Sequence, residues 1–425
     1  MKISIEGNLP HKNILITGGS LQASSRGIEG LVLGTITSIK NANPDVSFIA
    51  IAGRCNKNHL SDVEIDIGGG EYIKEYLIRA RHYPRLLLRV LLSSIFPNNF
   101  RNYFCKSDLI ITAYLQADVI VSLSAGDSFS DIYGYRQFIP HYLFDLIAII
   151  LKRPLIIFPQ TIGPFNHFWG RLLARFSLRR AKIIFTRESY STETVKKLCG
   201  NKANVIEKVD IAFLMKPAEN NHPKIAGVRP RIGLNVSGFL SFSPAARILI
   251  KDFDYIQFIK RVIKILIDKY DADIFLLPHD YELDKNDDDL RACEILYDSL
   301  EKFYCKKVIV IKEQYKAPEL KTIIGKYDFF IGARLHACIA ALSMKVPTVP
   351  IAYSYKFIGI LNKVGLDDEV VCDPRKDSVD CMLGKIQGAF ENRELLYQHL
   401  KKKIPEIQEI ALTCGKLLND FIVTN

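Results

Sequence analysis

An α/β protein of two facing Rossmann-like domains with a ligand cleft between them is what the sequence predicts, on three observations. Short apolar runs alternate with longer amphipathic stretches, the pattern of βα repeats around a parallel sheet. The pattern runs twice along the chain. A polar, proline-bearing stretch at residues 216–230 divides the two series and reads as a linker.

The first series places strands at residues 13–17, 46–52, 118–123, 154–159 and 182–187, with helical patterns at 27–41, 142–152 and 167–180. The second places strands at 231–237, 273–279, 306–312, 328–334 and 347–353, with a helix at 254–270. From about residue 385 the chain reads as helix that packs back on the domains. The expected division is therefore 1–220, 221–385 and 386–425. Ligands of such sheets sit beyond the carboxyl ends of the strands, so the loops after each strand are where chemistry is sought.

With 425 residues the chain is long enough for more than one domain, and a net charge of +11 favours anionic partners. Its nine cysteines form no CxxC pair, which argues against a disulfide framework or a zinc site and for a reducing cytoplasm. The most apolar segment, 143–158, is interrupted by Asp145, Lys152, Arg153 and Pro154, so no membrane span is expected. The N-terminus has no apolar stretch of signal-peptide length.

Four loops carry candidate chemistry. In 331–356, Arg334 and His336 stand where a strand gives way to a helix N-terminus, a position suited to phosphate or carboxylate, and Lys356 follows the next strand. A structural ion pair for Arg334 and a satisfied core histidine for His336 are the alternatives. In 124–137, Gly126 permits a turn, Asp127 and Asp131 bring carboxylates to a strand end, and Tyr133 and Tyr135 offer faces for a sugar ring. Asp131 can equally cap a helix, and the tyrosines can simply pack. In 158–165, Gln160 and Thr161 stand at the mouth of a Gly163–Pro164 turn. In 186–191, Arg187 ends a strand and Ser189 begins a helix.

The glycine-bearing loop 17–30 spells neither GxGxxG nor a P-loop, so NAD and ATP have no direct support. The acidic run 284–290 reads as a solvated loop and helix start, although His279 and Asp280 lie at a strand end within reach of a ligand. The segment 76–104 sets Arg79, Arg81, Arg85, Arg89 and Arg101 among leucines. It suits either an anionic membrane surface or the basic face of a soluble helix. No nucleic-acid-binding motif accompanies the charge.

The order of these loops is more specific than any one of them. A glycine-bearing first loop, SAGDSFSD, PQTIGPF, TRESYS and then GARLHACIAAL followed by Lys356 resembles the polysaccharide pyruvyl transferase family over residues 13–365. The resemblance implies a GT-B-like fold and transfer of a pyruvyl group from phosphoenolpyruvate to two hydroxyls of a sugar, forming a ketal. The acceptor would be a surface glycan or lipid-linked oligosaccharide, handled in the cytoplasm or at the inner membrane face.

The resemblance further implies donor binding by Arg334, Lys356 and Arg187. It associates His336 with the donor as well; because imidazole titrates near neutral pH, His336 is the candidate to deliver a proton or assist phosphate departure, with Asp127 or Asp131 as a base for a hydroxyl. Tyr133, Tyr135, Gln160 and Thr161 fall to the acceptor side. No metal and no cofactor beyond the donor are required. Two stretches depart from the family's pattern: the first loop reads SSRGIEG, with Glu29, instead of an NxGD-type sequence, and Ala125–Gly126 stands where relatives have a glycine pair. A nucleotide-sugar glycosyltransferase with Arg334 and Lys356 on its diphosphate, or a non-catalytic glycan-binding relative, are the alternative readings.

Overall fold

The computed structural model describes residues 12–53, 62–68, 71–78, 80–95, 108–132, 134–218, 229–281, 286–366 and 368–424. The chain forms two compact units, and neither is one continuous stretch. The first comprises Met1–Leu21, Thr35–Lys208 and Leu412–Asn425; the second comprises Gln22–Gly34 and Val209–Ala411. A cut at residue 220 would thus leave 209–218 with the wrong partner. Of the C-terminal helices, 386–411 go with the second unit and 412–425 with the first.

The first unit carries strands β1 (Lys12–Thr17), β2 (Val46–Gly53), β3 (Asp62–Gly68), β4 (Glu71–Ile78), β5 (Val119–Ser122), β6 (Leu155–Gln160), β7 (Ile183–Thr186) and β8 (Val205–Glu207). They form one sheet in the order β3-β4-β2-β1-β5-β6-β7-β8. Every pairing is parallel except β3 with β4. β1 lies between β2 and β5, so the strand order reverses there and opens a crevice at the ends of β1 and β5. The β3–β4 pair and β8 were not among the expected strands. β3 alternates charged Asp62, Glu64 and Asp66 with Val63 and Ile65, which suits a half-covered edge strand rather than a buried parallel strand.

The helices Tyr83–Ile95, Leu109–Gln116, Tyr135–Ile150 and Phe168–Leu178 share one face of this sheet. Tyr83, Leu86, Ile111, Phe138, Phe144 and Leu178 all enter a single buried apolar cluster with strand residues such as Ile120 and Ile157. Within that layer Asp145 is fully buried, and Ser177 Oγ donates to its Oδ2 at 2.8 Å. Burial pushes its carboxyl up to about 6, against the lowering effect of the Ser177 and Ser122 hydroxyls. The folded state therefore holds this proton more tightly than the unfolded chain, so the group lowers stability as pH rises from the ordinary carboxylate range to about 6. Asp145→Asn is expected to raise Tm at neutral pH and to leave it nearly unchanged in acid, as thermal melts at two pH values would show.

The second unit carries β9 (Arg231–Asn235), β10 (Asp273–Leu276), β11 (Val308–Val310), β12 (Phe329–Gly332) and β13 (Thr348–Pro350). All pair in parallel, in the order β11-β10-β9-β12-β13. This is again a doubly wound sheet, with its reversal between β9 and β12. The helix Tyr255–Tyr270 begins at Asp254, whose carboxylate caps Gln257 N, and ends on Asp271 in the left-handed region. Its buried stripe, including Phe258, Ile259, Val262 and Leu266, joins β9, β10 and β12 in one core.

Candidate functional site

In the second unit, one carboxylate ties three strand ends together. Asp289 is fully buried at the start of the helix Asp289–Asp298. It accepts from Gly238 N at 2.8 Å and from His279 N and Asp280 N, each at 3.1 Å. Arg334 adds Nη2 at 2.8 Å and Nε at 3.1 Å, a forked pair. Asn235 Nδ2 reaches the same carboxylate at 3.3 Å, while Asn235 Oδ1 takes the Arg334 backbone N–H at 2.9 Å. The ends of β9, β10 and β12 are thus fixed around the switch point.

Arg334 is further enclosed by Asp287, whose Oδ1 is 2.6 Å from Nη2, and by Asp280, whose Oδ2 is 3.1 Å from Nη1. Burial opposes its charge, but the three carboxylates outweigh that and hold the guanidinium firmly protonated. Burial raises Asp280, yet Arg334, His279 and the Ser25 hydroxyl together hold it well below the usual carboxylate range. Burial lifts Asp287 to about 6 against the pull of Arg334. Expected to clamp an anionic donor, Arg334 has instead filled its fork with carboxylates of its own unit, and the cluster carries more acid than base.

His336, on the first turn of the buried helix Leu335–Ser343, is placed differently. Its Nε2 lies 3.6 Å from Oδ2 of the buried Asp210 and has no hydrogen-bond partner among the described residues. Asp210 Oδ1 meanwhile accepts from Ala212 N at 2.9 Å, which fixes the carboxylate. A Cβ on Gly27 would stand 2.4 Å from His336 Nδ1, so only glycine leaves room for the imidazole there. The first loop is laid along the end of β10: Arg26 N donates to His279 O, and Tyr281 N donates to Ser24 O. Glu29, which departs from the family pattern, is buried and accepts from Ala317 N at 2.9 Å, capping the helix Ala317–Ile324. Lys356 is half-buried on the first turn of the helix Tyr355–Val364, directly after β13.

In the first unit, β5 runs into a turn in which Ser124, Ala125 and Gly126 all have positive φ (43°, 49° and 87°). Two consecutive non-glycine residues in that region store strain of the kind that collects at functional loops. Gly18, at the end of β1, has φ 74°, and a Cβ there would approach Ser124 N to 2.8 Å. Asp127 closes the turn through its N–H to Ser124 O and is half-buried.

Asp131, expected as a base, is occupied. Its oxygens accept from Asn166 N at 2.8 Å and His167 N at 2.7 Å, with His167 Nδ1 at 3.2 Å. It thus fixes the two residues that lead into the helix Phe168–Leu178. Thr161, expected at the acceptor, takes the Arg187 Nε–H at 3.0 Å and lies 3.3 Å from Glu188 Oε2. Arg187 is itself buried, with Nε 3.6 Å from Glu188. Gln160 is fully buried, and neither amide atom has a partner among the described residues. It is therefore the residue of this group whose polar atoms remain available. Tyr135 is exposed at the head of its helix beside Arg136, and Tyr133 lies outside the described residues.

The sequence reading passed over Asp289, Asp287, Asp210, Asn235 and Gly27. Asp289 and Asp287 belong to the acidic run taken as solvated; its helix-start half holds, since Asp288 caps Leu290 N and Arg291 N. A signal for Asp210 was present: a lone carboxylate inside VDIAFL must be paired if the run is buried. Among the described residues, no group of histidine, cysteine and carboxylate side chains is arranged to hold a metal ion.

Comparison with known proteins bears on the fold and on the family. Over 97% of the chain, the fold resembles an alpha,alpha-trehalose-phosphate synthase (UDP-forming) from Burkholderia xenovorans, with TM-score 0.57, 11% identity and 99% of that chain covered. A sucrose-phosphate synthase from Thermosynechococcus elongatus gives TM-score 0.56 at 11% identity, covering 97% of this chain and 100% of the other. Likeness at such identities shows the fold, a GT-B-like α/β chain of two Rossmann-like units. In sequence, the amylovoran biosynthesis protein AmsJ of Erwinia amylovora is 24% identical over 340 residues, 76% of this chain and 78% of that protein. Residues 26–355 match the family described as polysaccharide pyruvyl transferase. With most of its length inside that match, the chain belongs to the polysaccharide pyruvyl transferase family.

Proposed function

We propose that this chain moves the pyruvyl group of phosphoenolpyruvate onto two hydroxyls of one sugar in a glycan, releasing phosphate. The observation that carries the reading is the His336–Asp210 pair: an imidazole at the head of a buried helix, backed by a fixed carboxylate and given room by Gly27. The reaction adds a proton to the methylene carbon of the enol and a sugar oxygen to the neighbouring carbon. A second hydroxyl then displaces phosphate and closes the ketal. One hydroxyl proton balances the new methyl group and the other leaves with phosphate.

In this reading His336 transfers the proton, with Asp210 steadying the cationic imidazole. Lys356 and Arg187 serve as cations toward the donor, and Gln160 offers its amide to the acceptor. Arg334 becomes a positioning residue: its fork is held by Asp289, Asp287 and Asp280, and it sets the backbone from which His336 projects. Asp131 likewise positions its loop, which leaves Asp127 as the carboxylate proposed to accept a hydroxyl proton.

Incubation with phosphoenolpyruvate and bacterial glycan acceptors should release phosphate and leave an acid-labile pyruvyl ketal on the sugar. The UDP-forming neighbours motivate a parallel incubation with sugar nucleotides; nucleotide release there, without phosphate release from phosphoenolpyruvate, would replace this reading with a glycosyltransferase. Glycan binding with neither product would favour a binding protein. Gly27→Ala is expected to lower turnover about 10²-fold by displacing the imidazole. Its Tm should also fall by a few degrees, since the added methyl overpacks a buried contact. Paired kinetic and melting measurements check both halves of the statement.

A further inference from the structure

The outer surface of the helical layer in the first unit carries several exposed large apolar side chains. On the helix Phe168–Leu178, Phe168 is 74% exposed and Leu172, one turn on, is 55% exposed. Ile132, which follows Asp131 and its bond to His167 N, is 47% exposed. On Tyr83–Ile95, Leu88 is 58% exposed, and Leu91 is exposed beside it. Between these, Tyr135–Ile150 holds Ile139, Leu146, Ile149 and Ile150 half-buried against the core.

The charges in this layer are of one sign. The three helices contain a single carboxylate, Asp145, and it is buried. Arg85, Arg136, Arg171, Arg175 and Arg180 are exposed around the apolar residues. Arg171 and Arg180 hydrogen-bond only to main-chain carbonyls, which leaves their charge in place. Asp131, which adjoins this face through His167, is buried, and Asp108 is turned to Arg89 at 3.0 Å.

We propose that this face docks on the surface of an anionic phospholipid bilayer, with Phe168, Leu172 and Leu88 entering the headgroup boundary and the arginines meeting lipid phosphates. Apolar side chains interleaved with arginine, and no exposed carboxylate between them, are what an interfacial surface requires. A second copy of the same face would set arginines against arginines, which disfavours self-association. Nucleic acid would use the arginines but gives no reason for exposed leucine and phenylalanine. The inference does not rest on which group the enzyme transfers, and its test uses no substrate.

Trp169, the one tryptophan of the sequence, sits on the docking helix beside Phe168 and reports on it directly. The full chain should cosediment with vesicles of phosphatidylglycerol and phosphatidylcholine but not with phosphatidylcholine alone, and brominated lipid should quench Trp169. Phe168→Asp with Leu172→Asp should weaken partition roughly 10²-fold. Arg171→Gln with Arg175→Gln should weaken it about tenfold or more, as should added salt. All four side chains are exposed, so thermal melts of the variants should match the parent. Absence of sedimentation with phosphatidylglycerol vesicles, variants that partition like the parent, or unquenched Trp169 would each overturn the proposal. So would a dimer abolished by Phe168→Asp, or release from vesicles by RNA at equal charge.

Discussion

Asp289→Ala is expected to cost about 3–5 kcal/mol of stability, the penalty of stripping one partner from a buried ion pair. The substitution leaves the Arg334 guanidinium with Asp280 and Asp287 but without its forked, fully buried partner. It also orphans three main-chain N–H groups, those of Gly238, His279 and Asp280, at the ends of two strands and the start of a helix. Asp287→Ala is the control. Its carboxylate is partly exposed and bonds to a single side chain, so a loss of about 1 kcal/mol or less is expected. Denaturant titrations of the two variants against the parent decide the matter. If Asp289→Ala loses no more than the control, the hub assignment is wrong.

The second large effect concerns chemistry instead of folding. His336→Ala should lower turnover at saturating phosphoenolpyruvate by about 10²–10⁴-fold, the usual contribution of a positioned acid or base. The Michaelis constant for the donor should move much less. Asp210→Asn should give a smaller fall, because the amide retains an acceptor for Ala212 N but loses the charge opposite the imidazole. A raised Michaelis constant with turnover intact would make His336 a binding residue. Normal values of both would remove it from the mechanism.

The apolar runs were legible because a strand buried on both faces has to be apolar throughout, and each expected run contains a strand. The β3–β4 pair was harder to see, since Asp62, Glu64 and Asp66 in β3 and Glu71, Lys74 and Glu75 in β4 break up any continuous apolar run. At the site, the types of residue were legible but their partners were not. Arg334 could be located at a strand end from sequence. What it bonds to depends on Asp280, Asp287 and Asp289, which lie 45 or more positions earlier and come near only through the sheet order. Asp131 shows the same limit: neither a base nor a cap for the next helix, it bonds Asn166 N and His167 N, 35 and 36 positions later.

The interrupted division of the chain has a consequence for how the protein is made. The first unit starts ahead of the second but is completed by 412–425, and Gly415 N bonds to Ser38 Oγ at 3.0 Å. A ribosome must therefore synthesise the whole second unit before the first can close, against the usual order in which the leading domain folds alone as it emerges. A nascent chain halted after residue 208 would hold the eight-stranded sheet's strands yet lack the segment that covers Ser38. Stalled-chain proteolysis should find that intermediate sensitive until the last turns of the C-terminal helix have left the exit tunnel.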